Sequence, residues 1–230
     1  MKILSRLGSP GFWCVLVPLA LLLAQFVIEL NVSGAAHVAL HTENGPVETL
    51  QFIVLVLAFL AAVRLLWRLR FRPPAFFSVW VLLAVLGCFY VAGEEVSWGQ
   101  HFLNWDTPSY WKALNDQEET NLHNTSAWLD QKPRLLLELG VLVGGLLLPF
   151  YRRIGRRPLP AWLTAISPPD RFFVIALIVL GLKLADKLGD ITGLNILGRA
   201  SEVIEFYLYY FVLLYMLHIG HILPAYLKKE

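Results

Sequence analysis

The sequence predicts an all-α integral membrane helical bundle, with six transmembrane helices and a structured outer loop. Two observations support this prediction. Of the 230 residues, 57% are hydrophobic and 16% are charged, whereas soluble domains carry roughly a quarter charged residues. Several continuous apolar runs also approach the ~20 residues that a helix needs to cross the hydrocarbon layer. We expect a single transmembrane domain over residues 1–230.

The apolar runs predict where the six spans lie. They are expected at residues 12–30, 47–70, 75–97, 134–151, 170–188 and 202–226. The first run could instead belong to a cleaved signal peptide, although its length favours a retained helix. The fifth run is the weakest because Lys183, Asp186 and Lys187 crowd its end. For Asp186 we expect a local salt bridge to one of these two lysines.

Lysine and arginine predict the orientation, since cytoplasmic loops carry an excess of both. With six spans, 13 of the 19 basic residues fall on the side that holds both termini. This pattern predicts a multi-pass protein of the bacterial inner membrane with both termini in the cytoplasm. The lipid bilayer is its expected partner, no nucleic-acid signature is present, and the oligomeric state stays open.

The long outer connection, residues 98–133, is predicted to form a lid with structure of its own. Pro108 begins an expected short helix that runs to Asn115. Asp116 and Glu119 then resemble a capping box for a second helix through Leu129. On such a helix Glu119 and His123 share one face.

Acidic residues are distributed unevenly, with 15 of the 17 on the predicted outer side. Helix dipoles favour acids at the helix N-termini there, which explains Glu48, Glu138, Glu202 and Glu205. Glu94 and Glu95, in the stretch GEEVSWGQH (93–101), lie at a helix C-terminus, where the dipole disfavours anions. If that helix continued, Glu94, Trp98 and His101 would share one face.

These acids predict a polar site at the outer ends of the spans, because ionisable groups at membrane depth are candidates for function. Neighbouring carboxylates suit general acid/base catalysis. Carboxylates with imidazoles also suit a divalent metal, so the cofactor stays open. The candidate catalytic residues are Glu94, Glu95, Glu119 and His123; the substrate-binding ones are Gln100, Gln117, Asn121 and Trp98; the metal ligands are Glu94, His101 and His123; the supporting acids are Glu43, Glu48, Glu202 and Glu205.

Three motifs, TENGPVETLQ (42–51), GEEVSWGQ (93–100) and NDQEETNLHN (115–124), resemble the signature of an uncharacterised bacterial polytopic membrane protein family. That signature joins a Glu-(Asp/Asn)-Gly…Glu entry to the second span, a Gly-Glu-Glu-(Ile/Val)-Ser-Trp-Gly-Gln exit from the third, and a Gln-x-Glu-x-Asn-Leu-His-Asn loop. The family has no established activity, so the resemblance implies a shared outer-face site without naming a reaction. It connects Glu43, Glu48, Glu94, Glu95, Gln117, Glu119, Asn121 and His123.

Two hypotheses of function follow. The first is a membrane-embedded enzyme whose carboxylate/histidine site faces the periplasm and acts by hydrolysis or group transfer on a lipid or lipid-linked substrate. The alternative is a non-enzymatic subunit of a larger complex, or an ion/proton-coupled carrier. A carrier needs charged or broken helices at the membrane midplane, and the centres of the predicted spans are nearly free of charge. A subunit predicts that the acids form salt bridges to Lys112, Lys183, Lys187, Arg134 and Arg199.

Overall fold

The computed structural model describes residues 9–41, 45–70, 74–103, 105–114, 120–122, 125, 127–155, 158–193 and 197–228. In these ranges the regular structure is helical. The helices are α1 Phe12–Asn31, α2 Ala35–His41, α3 Pro46–Leu69, α4 Ala75–Glu95, α5 Gln100–Leu103, α6 Ser109–Lys112, α7 (Ala127–Leu142 continued by Val143–Leu147 and Leu148–Ile154), α8 Ala161–Ile166, α9 Phe173–Thr192 and α10 Ala200–Tyr226. Short 3₁₀ turns lie at Ser97–Gly99 and Asp170–Phe172.

Within the described ranges, five helices are long and apolar enough to cross a membrane. They are Phe12–Asn31, Pro46–Leu69, Ala75–Glu95, Pro133–Ile154 and Ala200–Tyr226. Five of the six predicted spans therefore correspond to such helices, and the chain is a multi-pass helical membrane protein. The remaining prediction, 170–188, falls on α9, which is 20 residues long. That helix is not among the five, since Lys183, Asp186, Lys187 and Asp190 interrupt its apolar sequence.

Helix α10 lies at the centre of the bundle. Over half of its most apolar stretch, 56%, is buried inside the protein, and it packs most extensively against α3, which also packs against α4. Its Tyr207, Leu208 and Ile219 are fully buried beside Leu65 of α3 and Ile175 of α9. The outward faces of the spans carry large exposed apolar side chains, as contact with lipid requires.

Two helices contain a π-turn shortly before a proline. In α1 the turn Phe12–Leu16 precedes Pro18, and in α7 the turn Val143–Leu147 precedes Pro149. Proline has no N–H, and its ring crowds the preceding turn of an α-helix. The wider turn makes room for it, and in α1 the Val17 N–H donates to the carbonyl of Phe12. The Tyr210 hydroxyl of α10 donates to the carbonyl of Trp13 at 2.7 Å.

Contacts between helix ends define two ends of the bundle. At the first, named the acidic end, the start of α3 meets the start of α10, since Gln51 Nε2 donates to the Glu202 carbonyl at 2.8 Å. The opposite end is named the basic end. There Arg152, near the end of α7, forms an ion pair of 3.1 Å with Asp170, just before α9.

The outer connection differs from its prediction. The expected helix 108–115 is shorter, Ser109–Lys112. The expected helix from Asp116 through Leu129 is wrong for Thr120, Asn121 and Leu122, which are not helical. These three residues are held by side chains of another segment, and that tertiary bonding outweighs the capping pattern. Helix α7 begins at Ala127, before the predicted start of the fourth span at 134, and α2 was not predicted.

Candidate functional site

Helix α4 ends at Glu95, and the backbone then turns sharply. Ser97, Trp98 and Gly99 all have positive φ, of 44°, 56° and 98°. Residues other than glycine rarely adopt this conformation, which costs about 1–2 kcal/mol each. Trp98 therefore does not extend the helical face of Glu94 as a continuing helix would have it. The turn instead folds its indole ring back over Gly93, where a Cβ atom would lie 2.8 Å from the ring.

Glu94 is buried, and both of its carboxylate oxygens accept hydrogen bonds. Trp98 Nε1 donates to Oε1 at 2.6 Å, and the backbone N–H of Leu122 donates to Oε2 at 2.7 Å. Hydrogen bonds to a charged acceptor are roughly twice as strong as neutral ones. Glu94 thus holds the end of α4 and the outer connection together.

Two further side chains of the same stretch bind the same connection. Ser97 Oγ accepts from Nδ2 of the buried Asn121 at 3.0 Å. Gln100 Oε1 accepts from the N–H of Thr120 at 2.8 Å, and Gln100 Nε2 donates to Thr107 Oγ1 at 2.6 Å. The loop clip is defined as Glu94, Ser97 and Gln100 together with residues 120–122. Gln100 and Asn121, two of the four predicted substrate-binding residues, are bonded inside it.

Glu95 points into a different environment. Its Oε1 accepts from the Tyr209 hydroxyl of α10 at 2.8 Å. Glu48, Glu202 and Glu205 lie close enough to act on its charge. The acidic cluster is defined as Glu48, Glu95, Glu202 and Glu205. Tyr209 follows the first residue of α10 by nine positions, so it lies about 13 Å along that helix, deeper than Glu202 and Glu205.

Two basic residues border the acidic cluster. Arg134 Nη1 contacts Glu205 Oε1 at 2.7 Å, and its Nε contacts the buried Glu138 at 3.2 Å. Lys183 Nζ binds the second oxygen of Glu138. The sequence hypothesis of a subunit named Arg134 and Lys183 among its salt-bridge partners. Lys187 pairs with Asp190 at 3.4 Å. Asp186 was expected to pair with Lys183 or Lys187, but these two lysines contact Glu138 and Asp190 instead.

Gln51 adds an unpaired acceptor near the start of α10. Its side chain is fully buried, with Nε2 bonded to the Glu202 carbonyl. Its Oε1 is also buried, and among the described residues it has no hydrogen-bond partner. A buried, unpaired polar atom costs about 1–3 kcal/mol, which is the kind of cost that functional sites retain.

Part of the predicted site falls in segments that the structure does not describe. Glu43, Gln117, Glu119 and His123 lie outside the described residues, as does the side chain of His101. Two of the three predicted metal ligands are therefore among them. In the described ranges, no three His, Cys, Asp or Glu side chains come together as a metal-binding group.

The sequence did not assign three residues to this site, although the subunit hypothesis named one of them, Arg134, as a salt-bridge partner. Tyr209 is one of several tyrosines in an apolar span, Arg134 follows directly after a proline at the start of a span, and Ser97 had no base beside it in the sequence. The charge of Arg134 at the start of a predicted span is the one signal in the sequence that points to it. No family model, curated protein or solved structure matches the chain. The helices themselves show a multi-pass membrane protein.

Proposed function

We propose that the protein is a membrane-embedded enzyme whose reacting groups lie in the acidic cluster. It acts by hydrolysis or group transfer on a lipid or lipid-linked substrate. The observation that carries this proposal is the position of Glu95. One oxygen of the Glu95 carboxylate accepts a hydrogen bond from the Tyr209 hydroxyl, and no other described group donates to this carboxylate. Three further carboxylates lie nearby.

The contacts support Glu95, rather than Glu94, as the acid/base group. Both oxygens of Glu94 accept bonds within the loop clip, and protonating either oxygen would disrupt the bond that it accepts. Glu95 keeps one oxygen for a substrate or a water molecule. Several carboxylates in one low-dielectric site share protons readily, which suits a group that must give and take a proton.

Tyr209 and Arg134 complete this proposed centre. Tyr209 orients Glu95 through its hydroxyl, and Arg134 holds Glu205 at 2.7 Å. A guanidinium beside a carboxylate can also bind a phosphate or carboxylate of the substrate in a forked geometry. The exposed Trp105 and Tyr110 of the outer connection suit the headgroup level, where a lipid would enter.

The experiment is a product survey in reconstituted vesicles. Purified wild-type protein is incubated with a total bacterial lipid extract, and new products are sought by mass spectrometry. We expect Glu95→Gln to lower the rate of product formation by about 10²–10⁴-fold, the usual contribution of a general acid/base group. Asp190→Asn removes an exposed carboxylate on α9 and should leave the rate unchanged. Equal rates for wild type and Glu95→Gln would refute the assignment.

The ion pairs support an alternative, a non-enzymatic subunit of a larger complex. Glu138 and Glu205 bind Arg134, and Lys183 binds Glu138, so these acids stabilise the bundle. For this alternative the protein migrates with other membrane proteins on native gels, and Glu95→Gln yields no change in lipid products. The enzyme proposal predicts the opposite result in the vesicle assay.

We also propose that α9 is the sixth span. Two contacts align it with α7, because Arg152 contacts Asp170 at 3.1 Å, just before α9, and Glu138 contacts Lys183 in the middle of α9. The two contacts are separated by 14 residues along α7, from Glu138 to Arg152, and by 13 residues from Asp170 to Lys183 along α9. Both intervals correspond to a helix length of about 20 Å, so the two helices run side by side over that distance. The pairing with Glu138 reduces the cost of placing Lys183 at membrane depth.

Six spans support a bacterial inner-membrane protein with the acidic end in the periplasm, as the basic residues and the resemblance imply. A labelling experiment tests this topology. Single cysteines replace the exposed Ser109 and Thr192 in a background without Cys14 and Cys88. A membrane-impermeant maleimide should label both from the periplasmic side of intact cells. Labelling of Ser109→Cys alone would show that α9 does not cross.

A further inference from the structure

The basic end of the bundle contains a compact group of cations that the proposed reaction does not use. His218 of α10 lies near Arg152, Arg171 and His221, each close enough to act on its charge. The His218 ring also packs 6.2 Å from the ring of Phe172, centroid to centroid. The basic cluster is defined as Arg152, Arg171, His218 and His221.

Arg152 is fixed in this cluster with one donor unpaired. Its Nη2 donates to the Pro168 carbonyl at 2.7 Å and contacts Asp170 Oδ1 at 3.1 Å. Its Nε is buried, and within the described part of the chain it has no hydrogen-bond partner. A guanidinium has five N–H donors, so Arg152 is held in place and can still bind an acceptor.

The charges of this cluster are unbalanced. Arg152 and Arg171 are always ionised, and Asp170 is the acid that contacts Arg152. Arg171 also lies near the thiol of Cys14, which does not neutralise it. Arg171 and His221 are exposed, so an anion can approach them from outside the bundle.

Aromatic residues show that the cluster lies at the level of the lipid headgroups. Tyr215, one turn before His218, accepts a hydrogen bond from Trp80 Nε1 at 2.8 Å. Phe76 packs on Trp80 and on the exposed Trp162 at the same end. Trp and Tyr side chains concentrate at membrane–water interfaces. An anion at this depth is most readily supplied by the bilayer itself.

We propose that the basic cluster binds the phosphate group of an anionic phospholipid, with Arg171 and Arg152 as the principal ligands. Basic pockets between helices at this level suit such headgroups, and arginine binds phosphate with forked, charge-assisted hydrogen bonds. The acyl chains would then lie along the exposed apolar faces of α9 and α10. This site is separate from the acidic cluster and does not depend on the proposed reaction.

The test is native mass spectrometry of the detergent-solubilised protein titrated with phosphatidylglycerol or phosphatidylcholine. We expect Arg171→Gln to weaken phosphatidylglycerol binding about tenfold, the equivalent of one charged hydrogen bond. His221→Gln should weaken it by a smaller factor. Phosphatidylcholine, whose headgroup is zwitterionic, should bind weakly to the wild type and to both variants.

The matched control is Arg153→Gln. Arg153 follows Arg152 directly and is exposed, so this variant removes the same charge from the same end. We expect it to bind phosphatidylglycerol as tightly as the wild type. An equal loss in Arg153→Gln and Arg171→Gln would show general attraction and overturn the site. If inorganic phosphate displaced phosphatidylglycerol at a concentration comparable to that of the lipid, the proposal that the site binds a lipid phosphate would be overturned.

Discussion

The indole Nε1 of Trp98 donates a hydrogen bond of 2.6 Å to Glu94, although Trp98 lies beyond the last residue of the helix that carries Glu94. The left-handed turn makes this bond possible, because it reverses the chain and returns the ring to the helix. The bond therefore connects the strained turn at residues 97–99 to Glu94 and the rest of the loop clip.

Glu94→Gln should release residues 120–122 from the end of α4. A glutamine has one acceptor oxygen, so it can bind Trp98 Nε1 or the Leu122 N–H and loses about 1–3 kcal/mol at the other. We expect hydrogen exchange of the Leu122 amide to accelerate about tenfold or more. Glu95→Gln, whose carboxylate binds Tyr209 instead, should leave that amide unchanged. Equal protection in wild type and Glu94→Gln would contradict the clip.

Gly93→Ala should destabilise the protein by about 1–3 kcal/mol, because its methyl group would meet the Trp98 ring. The ring cannot withdraw without weakening its bond to Glu94. A methyl group added at Gly87 of the same helix would have no atom within 4 Å, so Gly87→Ala is the matched control and should unfold at or above the wild-type temperature. Thermal unfolding in detergent, followed by tryptophan fluorescence, measures both. A stable Gly93→Ala protein would mean that the ring is not held there.

Lys183→Met should lower stability by about 1–2 kcal/mol, because Glu138 is buried and would keep Arg134 as its remaining ion-pair partner. Lys187→Met removes an equal charge one turn later. The Lys187 side chain is 73% exposed, so its loss should change stability by less than about 0.5 kcal/mol. Unfolding in mixed detergent micelles compares the two. Equal effects would show that the contact with Glu138 contributes nothing.

Tyr210→Phe should cost more stability than Tyr207→Phe, although both hydroxyls bind carbonyls of α1. Tyr207 donates to the Pro18 carbonyl, which lies within the regular part of α1. Tyr210 donates to the Trp13 carbonyl inside the π-turn, where the Val17 N–H is directed to Phe12 and residue 18 is a proline. We expect about 1–2 kcal/mol for Tyr210→Phe and about half of that for Tyr207→Phe. The reverse order in thermal unfolding would refute this account.

The sequence predicted the parts of the fold that depend on local composition. Hydropathy located the five helices that are long and apolar enough to cross a membrane, since such a span is a property of about 20 consecutive residues. It placed the end of α4 within two residues but did not predict the left-handed turn that follows, because Ser97 and Trp98 are not residues that usually adopt positive φ. It also could not pair Lys183 with Glu138, 45 residues away, and favoured nearby Asp186 instead.

The sequence predicted which acids lie together in the candidate site, but not which side chains they bind. The excess of outer acids pointed to Glu48, Glu95, Glu202 and Glu205, which the structure brings together. It did not separate Glu94 from Glu95, because adjacent carboxylates look alike until their partners are known. The partner of Glu95, Tyr209, is 114 residues away and resembles its neighbouring tyrosines in sequence.

The way in which helix α1 is bound to the bundle affects which substitutions the protein can tolerate. It is the least buried of the five spans, with 11% of its apolar stretch inside the bundle. Two of its bonds to α10 use the main-chain oxygens of Trp13 and Pro18. A substitution in α1 leaves those acceptors in place, provided that the residue stays apolar and the proline is kept. Random mutagenesis should therefore find α1 tolerant of side-chain exchange, and α10, which supplies the two hydroxyls, intolerant at Tyr207 and Tyr210.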